Sequence, residues 1–119
     1  MQLSGCRVLL VEDDFFIQLD MQNLLEGAGA NVTAASTVAE GMDRARAEYD
    51  AAVLDIRLPD GEVFPVADAL DRKHTPIIFH SGNIDLIDLR SRFPNAVALS
   101  KPVDEEHLIA TVVQYRKHA

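Results

Sequence analysis

Five polar side chains of this 119-residue chain each follow an apolar run. Glu12 and Asp13 follow RVLLV, Asp55 closes AAVLD, Ser81 follows PIIFH, and Lys101 follows AVALS. Asp14 extends the first acidic group. If the fold brings these positions together, three carboxylates, a hydroxyl and an ammonium share one small volume. Carboxylates packed that closely repel one another, and at least one resists ionisation unless a cation is present. A hard divalent ion resolves the conflict, and Mg²⁺ suits a site of a few carboxylates, a backbone carbonyl and water. A metal, a lysine and a hydroxyl together form a charge clamp for a phosphoryl group. The nucleophile that such a clamp needs is then a carboxylate, which accepts the group as an aspartyl phosphate. Asp55 suits that role because it lies in the most central of the apolar runs.

The elements that must position these residues are legible as an alternation. Arg7–Val11, Asn31–Ala35, Ala51–Ile56, Pro76–His80 and Ala96–Leu99 read as strands. The first, third and fourth are near-continuous apolar runs, as in parallel strands covered on both faces. The second and fifth are weaker and suit sheet edges. Between them, Asp14–Glu26 places Ile17, Met21, Leu24, Leu25 and Ala28 on one helical face, and Gly27 and Gly29 end it. Ser36 or Thr37 caps a second helix, with Glu40 at capping-box spacing from Thr37. The spacing predicts further helices over 62–72 with Pro65 in the first turn, over 84–92, and over 104–117. Strand–helix alternation of this length implies right-handed crossovers and a parallel sheet, a five-unit doubly wound α/β domain. In such a sheet ligands bind where the carboxyl ends of the strands open, and all five polar residues fall there.

Composition narrows the setting. Eleven Lys and Arg against 19 Asp and Glu leave a net charge of −8, and 48% of residues are hydrophobic. The chain is long enough for one domain with a packed core. With no basic cluster, nucleic acid and anionic membrane surfaces are poor partners. The single cysteine, Cys6, cannot form an internal disulfide and reads as a small core hydrophobe. No signal peptide or span-length apolar run is present, and the expected location is cytoplasmic.

Each polar position also has an ordinary explanation. Asp13 or Asp14 serves as a helix cap, Glu12 as a solvated charge, Asp60-Gly61 as a turn, Ser81 as a cap and Lys101 as a surface charge. Asp55 fits its ordinary explanation least well, because a carboxylate inside AAVLDIRL is costly to bury without a partner.

Taken in order, VLLVEDD, AAVLDIRLPDG, PIIFHSG and SKP resemble the receiver domains of two-component response regulators, over essentially the whole chain. The resemblance implies a CheY-like, flavodoxin-like fold with about five helices and strand order 2-1-3-4-5. It implies that Asp55 is the phosphoacceptor. Glu12, Asp13, Asp55 and the backbone carbonyl of Arg57 would hold Mg²⁺. Ser81 and Lys101 would engage the phosphoryl group, and the Lys101-Pro102 bond would be cis. FHSGN, Phe79 to Asn83, and GEVFPVADAL, Gly61 to Leu70, are similar to the FATGUY subgroup of single-domain receivers. The aromatic residue common three positions before the lysine is Ala98 here, so any relay would use another device, such as the segment Gly82–Phe93 moving as a unit.

The expected function is a single-domain response regulator, residues 1–119 with no output domain. It would accept a phosphoryl group from a histidine kinase or histidine phosphotransfer protein and signal through a downstream protein target. The expectation includes no enzymatic turnover beyond its own phosphorylation and dephosphorylation, and a monomer or weak dimer. A phosphorelay shuttle or phosphate sink is the alternative within the family. A Mg²⁺-dependent aspartyl-phosphate phosphohydrolase is the alternative outside it, weakened by Arg57 at the position where that chemistry needs a general acid. Phe15, Phe16 and Leu19 form a second apolar patch beside the acid pair: either Phe15 and Leu19 help dock the partner, or Phe16 belongs to the core and Phe15 is merely exposed. His80 reads as a half-buried strand residue, and Ile109 and Val113 as core packing.

Overall fold

The computed structural model describes residues 1–82 and 86–118, with residues 86 and 87 as backbone alone. Five parallel strands alternate with five helices. They are β1 (Arg7–Val11), α1 (Phe15–Gly27), β2 (Asn31–Ala35), α2 (Val38–Arg44), β3 (Ala51–Asp55), α3 (Phe64–Arg72), β4 (Ile77–Ser81), α4 (Leu86–Arg92), β5 (Val97–Ser100) and α5 (Glu105–Tyr115). The sheet order is β2-β1-β3-β4-β5, with the weaker strands β2 and β5 at the edges as expected. The chain reverses direction across the sheet between β1 and β3, which opens a crevice at the strands' carboxyl ends.

Alternation along the strands divides the core in two. Val8, Leu10, Val53 and Ile78 pack with Met21 and Leu25 of α1 and with Leu108 and Val112 of α5. Leu9, Val11, Leu54 and Phe79 pack on the other face with Val66 and Leu70 of α3 and with Leu89 and Phe93. Central strands buried on both faces need apolar residues at every position, which is why β1, β3 and β4 read as continuous runs. Cys6 is fully buried, and burial raises its thiol, as its reading as a core hydrophobe requires.

Helix ends follow local chemistry. The Asp14 carboxylate caps α1 by accepting from Phe16 N and Ile17 N. Thr37 Oγ1 caps α2 by accepting from Glu40 N, while the Glu40 carboxylate reaches the amide of Ser36. Two differences from expectation have clear causes. Helix α3 starts at Phe64 because Gly61–Glu62 pair with Arg57–Leu58 in a two-stranded antiparallel ribbon, and Val63 N then bonds to Ile56 O. Helix α5 stops at Tyr115, where the chain becomes extended and Lys117 N donates to Asp50 O. Of the helix expected over 84–92, the start lies outside the described residues.

Gly29 ends the turn after α1 at φ +103, and a Cβ there would lie 2.9 Å from backbone atoms of Ser4. Both the backbone conformation and the close approach exclude a side chain. Gly29→Ala should therefore lower unfolding stability by about 1–3 kcal/mol, read as a drop in the urea midpoint at unchanged slope.

Candidate functional site

Each of the five sequence-selected residues stands at or just past the carboxyl end of a strand. Glu12 and Asp13 follow β1, Asp55 ends β3, Ser81 ends β4, and Lys101 follows β5. Glu12 is fully buried, Asp55 and Ser81 are buried, and Asp13 is exposed. Lys101 ties the group together. Its Nζ lies 2.8 Å from Glu12 Oε1 and 3.1 Å from Asp55 Oδ2. The second oxygen of Glu12 accepts from the amide of Asp14 at 3.2 Å. The backbone joins the same network, since Lys101 N donates to Ser81 O at 3.0 Å. The Lys101-Pro102 peptide is cis.

Glu12, Asp13 and Asp55 each place a carboxylate oxygen within 4.8 Å of the others. Three carboxylates against one ammonium leave the pocket short of positive charge. Burial pushes the Asp55 carboxyl up to about 6, its neighbour Glu12 adds to that, and Lys101 offsets only part. Burial acts on Glu12 in the same sense. There, hydrogen bonds from Lys101, Asp55 and the Asp14 amide outweigh it, and the group lies below the usual range. Burial would weaken protonation of Lys101, but its two carboxylate partners more than restore it. An all-oxygen donor set with surplus negative charge fits a hard divalent cation such as Mg²⁺.

Two residues near the site have roles that the sequence reading does not give them. Gln18 Nε2 lies 2.8 Å from Glu12 O, 3.0 Å from Ala35 O and 3.1 Å from Ser36 Oγ, fastening the ends of β1 and β2 to α1. Its place one turn after the cap Asp14 is the signal that could have marked it. The Asp60 carboxylate accepts from Val38 N at 2.8 Å and Ala39 N at 3.1 Å, so the loop after β3 caps α2. These bonds hold its carboxyl below the usual range. No local pattern reveals a cap supplied across 21 or 22 positions.

Two expectations are corrected. Phe16 is not in the core. It is 74% exposed, Phe15 is 67% exposed, and the two rings meet edge to face at 5.4 Å. The α1 face buries Met21 and Leu25 instead. His80 is fully rather than half buried. It pairs in register with Asp55 on β3, which places it in the sheet interior, and neither ring nitrogen has a hydrogen-bond partner. Burial, and secondarily Lys101, push its imidazole down to about 3, so it stays neutral. Leu19 is exposed, whereas Ile109 and Val113 pack at the edge of the core.

Known proteins place this geometry in a class. The family model of the response regulator receiver domain matches residues 8–113. The chain therefore belongs to the receiver domains of two-component response regulators. It is 30% identical over 111 residues to the cell cycle transcriptional regulator CtrA of Caulobacter vibrioides and 32% identical to the cell cycle response regulator CtrA of Brucella ovis. In both cases 89% of this chain is covered and 48% of the relative, so the chain spans about half the length of these curated relatives. Among solved structures, it is similar to a receiver domain protein (CheY-like) of Methanospirillum hungatei JF-1, with a TM-score of 0.83, 29% identity and 93% of each chain covered. A receiver protein of Sinorhizobium medicae WSM419 gives a TM-score of 0.85 and 29% identity over 95% of each chain.

The pocket's charges make opposed contributions to stability in the absence of metal. Asp55, held at about 6 in the fold against 3.8 in a free carboxyl, stabilises the native state increasingly as pH falls from 7 towards 4. His80, held at about 3 against 6.5, does the reverse and loses stability as pH falls below 6.5. The two slopes, each about 1.4 kcal/mol per pH unit, nearly cancel between roughly pH 4 and 6. In EDTA, Asp55→Asn should raise stability at pH 7.5 by about 1–3 kcal/mol and then lose the gain steadily below pH 6.5. His80→Leu should instead become more stable relative to wild type as the solution is acidified. Urea titrations at half-unit pH steps check both signs.

Proposed function

We propose that this chain is a phospho-accepting receiver in which Asp55 is the phosphoacceptor. The observation that carries this reading is the sharing of Lys101 Nζ between Glu12 and Asp55, inside a pocket short of cation. An Asp55 oxygen attacks the phosphorus of a phosphohistidine on a histidine kinase or histidine phosphotransfer protein. The new O–P bond forms as the P–N bond breaks, and the imidazole departs. Glu12, Asp13, Asp55 and the backbone carbonyl of Arg57 are the residues that would hold Mg²⁺. When bound, Mg²⁺ supplies charge neutralisation to the transferring group. Lys101 and Ser81 then capture phosphoryl oxygens, with Lys101 exchanging one carboxylate partner for the incoming charge.

The exposed pair Phe15 and Leu19 lie one turn apart on α1, which begins two residues after Asp13, and form the partner-docking patch in this reading. Phe79 and Gly82, with the early proline of α3, support a place near the FATGUY subgroup, from whose motif Ser81 departs by replacing Thr. The output is a protein–protein signal in the cytoplasm. Among the described residues no helix is long and apolar enough to cross a membrane.

Incubation with acetyl phosphate and Mg²⁺ should add one phosphoryl group by intact mass. EDTA or Asp55→Asn should abolish it. Uptake that persists in Asp55→Asn overturns the assignment. Docking is a separate test: Phe15→Ala should slow transfer from a partner phosphohistidine by about tenfold while leaving acetyl phosphate labelling unchanged. Equal slowing of both reactions would remove Phe15 from the docking patch.

A further inference from the structure

The position three residues before Lys101 is Ala98, and its place in the packing shows what replaces a large side chain there. Ala98 pairs in register with Phe79 on β4, two residues before Ser81. Phe79 is fully buried and belongs to a three-ring cluster. Its centroid lies 5.4 Å from that of Phe93 and 6.2 Å from that of Phe64, and Phe64 and Phe93 stack at 6.0 Å. The Arg92 guanidinium closes the cluster from outside. It sits 4.4 Å from the centre of the Phe64 ring and 5.5 Å from that of Phe93, with Asp68 at 3.8 Å. On the other side of the cluster lies a hollow of about 260 Å³, bordered by Phe79, Phe93, Leu89, Ala98 and Tyr115. The three rings belong to three elements that leave the pocket. Phe79 lies on the Ser81 strand, Phe64 opens the helix reached from Asp55 through the ribbon, and Phe93 follows α4.

The geometry points to a phosphorylation-driven switch in which Phe93 moves from beneath Arg92 into the hollow beside Ala98, carrying the end of α4 with it. This inference rests on the receiver reading above. Ser81 and Lys101 are joined through their backbones, so the carboxyl ends of β4 and β5 respond to a phosphoryl group as one unit. Their movement shifts Phe79, two residues before Ser81 on the same face of β4, together with its register partner Ala98. A packed aromatic cluster does not deform gradually, and it changes between discrete arrangements where free volume permits. The hollow supplies that volume on the side of Phe93 away from Arg92. Departure of Phe93 leaves Arg92 holding one ring instead of two. The Arg92–Asp68 pair is half-exposed and too weak to keep the old arrangement alone. The surface that changes is the α3–α4 face, where Arg57, Glu62, Asp88 and Arg92 border a cleft of about 350 Å³.

Beryllofluoride with Mg²⁺ is the probe, with two independent readouts: ¹⁹F resonances of the bound fluoride for loading, and the Arg92 Nε–H and Phe93 ring resonances for the switch. In the wild type both should respond. Ala98→Phe fills the hollow and should still load, but its Arg92 and Phe93 shifts should shrink to a fifth or less. Ala98→Leu, a smaller change, serves if the first variant folds poorly and should reduce the shifts in the same direction. Arg92→Ala removes the outer clamp, should move the Phe93 resonances part way to the loaded position without the probe, and should tighten beryllofluoride binding by about two- to fivefold. Loading with unmoved Phe93 in the wild type, or a full response in both Ala98 variants, overturns the switch and leaves the receiver reading standing. Failure of the wild type to load overturns both.

Discussion

The structure is organised around one lysine that has too many carboxylates to satisfy. Lys101 Nζ reaches Glu12 and Asp55 at 2.8 and 3.1 Å, and both are buried where an unpaired charge would be severely penalised. No other described cation is paired with either carboxylate. The ammonium therefore holds three strand ends in register with one another, because Glu12, Asp55 and Lys101 follow or end β1, β3 and β5. The same arrangement leaves Asp55 poised, with its carboxyl at about 6. A divalent cation or a phosphoryl group changes this balance in opposite senses. The cation relieves the carboxylates, and the phosphoryl group draws the lysine away from them.

How much of this was legible in the sequence depends on how local each signal is. Asp55, Glu12, Asp13, Ser81 and Lys101 were found because a strand that ends in a polar residue announces itself within a few positions. Sheet edges were legible for the same reason: NVTAA and AVAL are visibly less apolar than the strands they flank. Contacts made across the fold were not. Asp60 reads as a turn residue, and its service to the amides of Val38 and Ala39 exists only once α2 packs beside the ribbon. Phe16 can be read as core because hydrophobicity alone does not say which side of a helix faces the sheet, whereas Met21 and Leu25 are the residues buried. The end of α5 was set by Lys117 bonding to Asp50 and Lys73, partners that no helix-dipole pattern includes.

His80 illustrates a second limit. Its neighbours in the sequence suit a strand, but only the register beside Asp55 reveals that an imidazole with no hydrogen-bond partner lies against the pocket. An unpartnered buried polar group costs stability, and a Val or Leu would fill the place without that cost. The neutral ring also leaves Lys101 with no competing positive neighbour at its carboxylates. A permanently charged residue in the same place would oppose the ammonium, so neutrality of the ring is what makes the position compatible with the lysine.

The aromatic cluster extends the same logic to the opposite face of the sheet. β4 carries Ser81 and Phe79 on one face and His80 on the other, so its carboxyl end cannot move without disturbing the aromatic cluster. A large aromatic at position 98 would occupy the space beside Phe79 and move with it. Alanine leaves that space empty, and the ring of Phe93, at the end of α4, borders it. The substitution therefore does not remove the connection between pocket and surface. It transfers the moving part from β5 to α4, and with it the face of the domain on which phosphorylation is read.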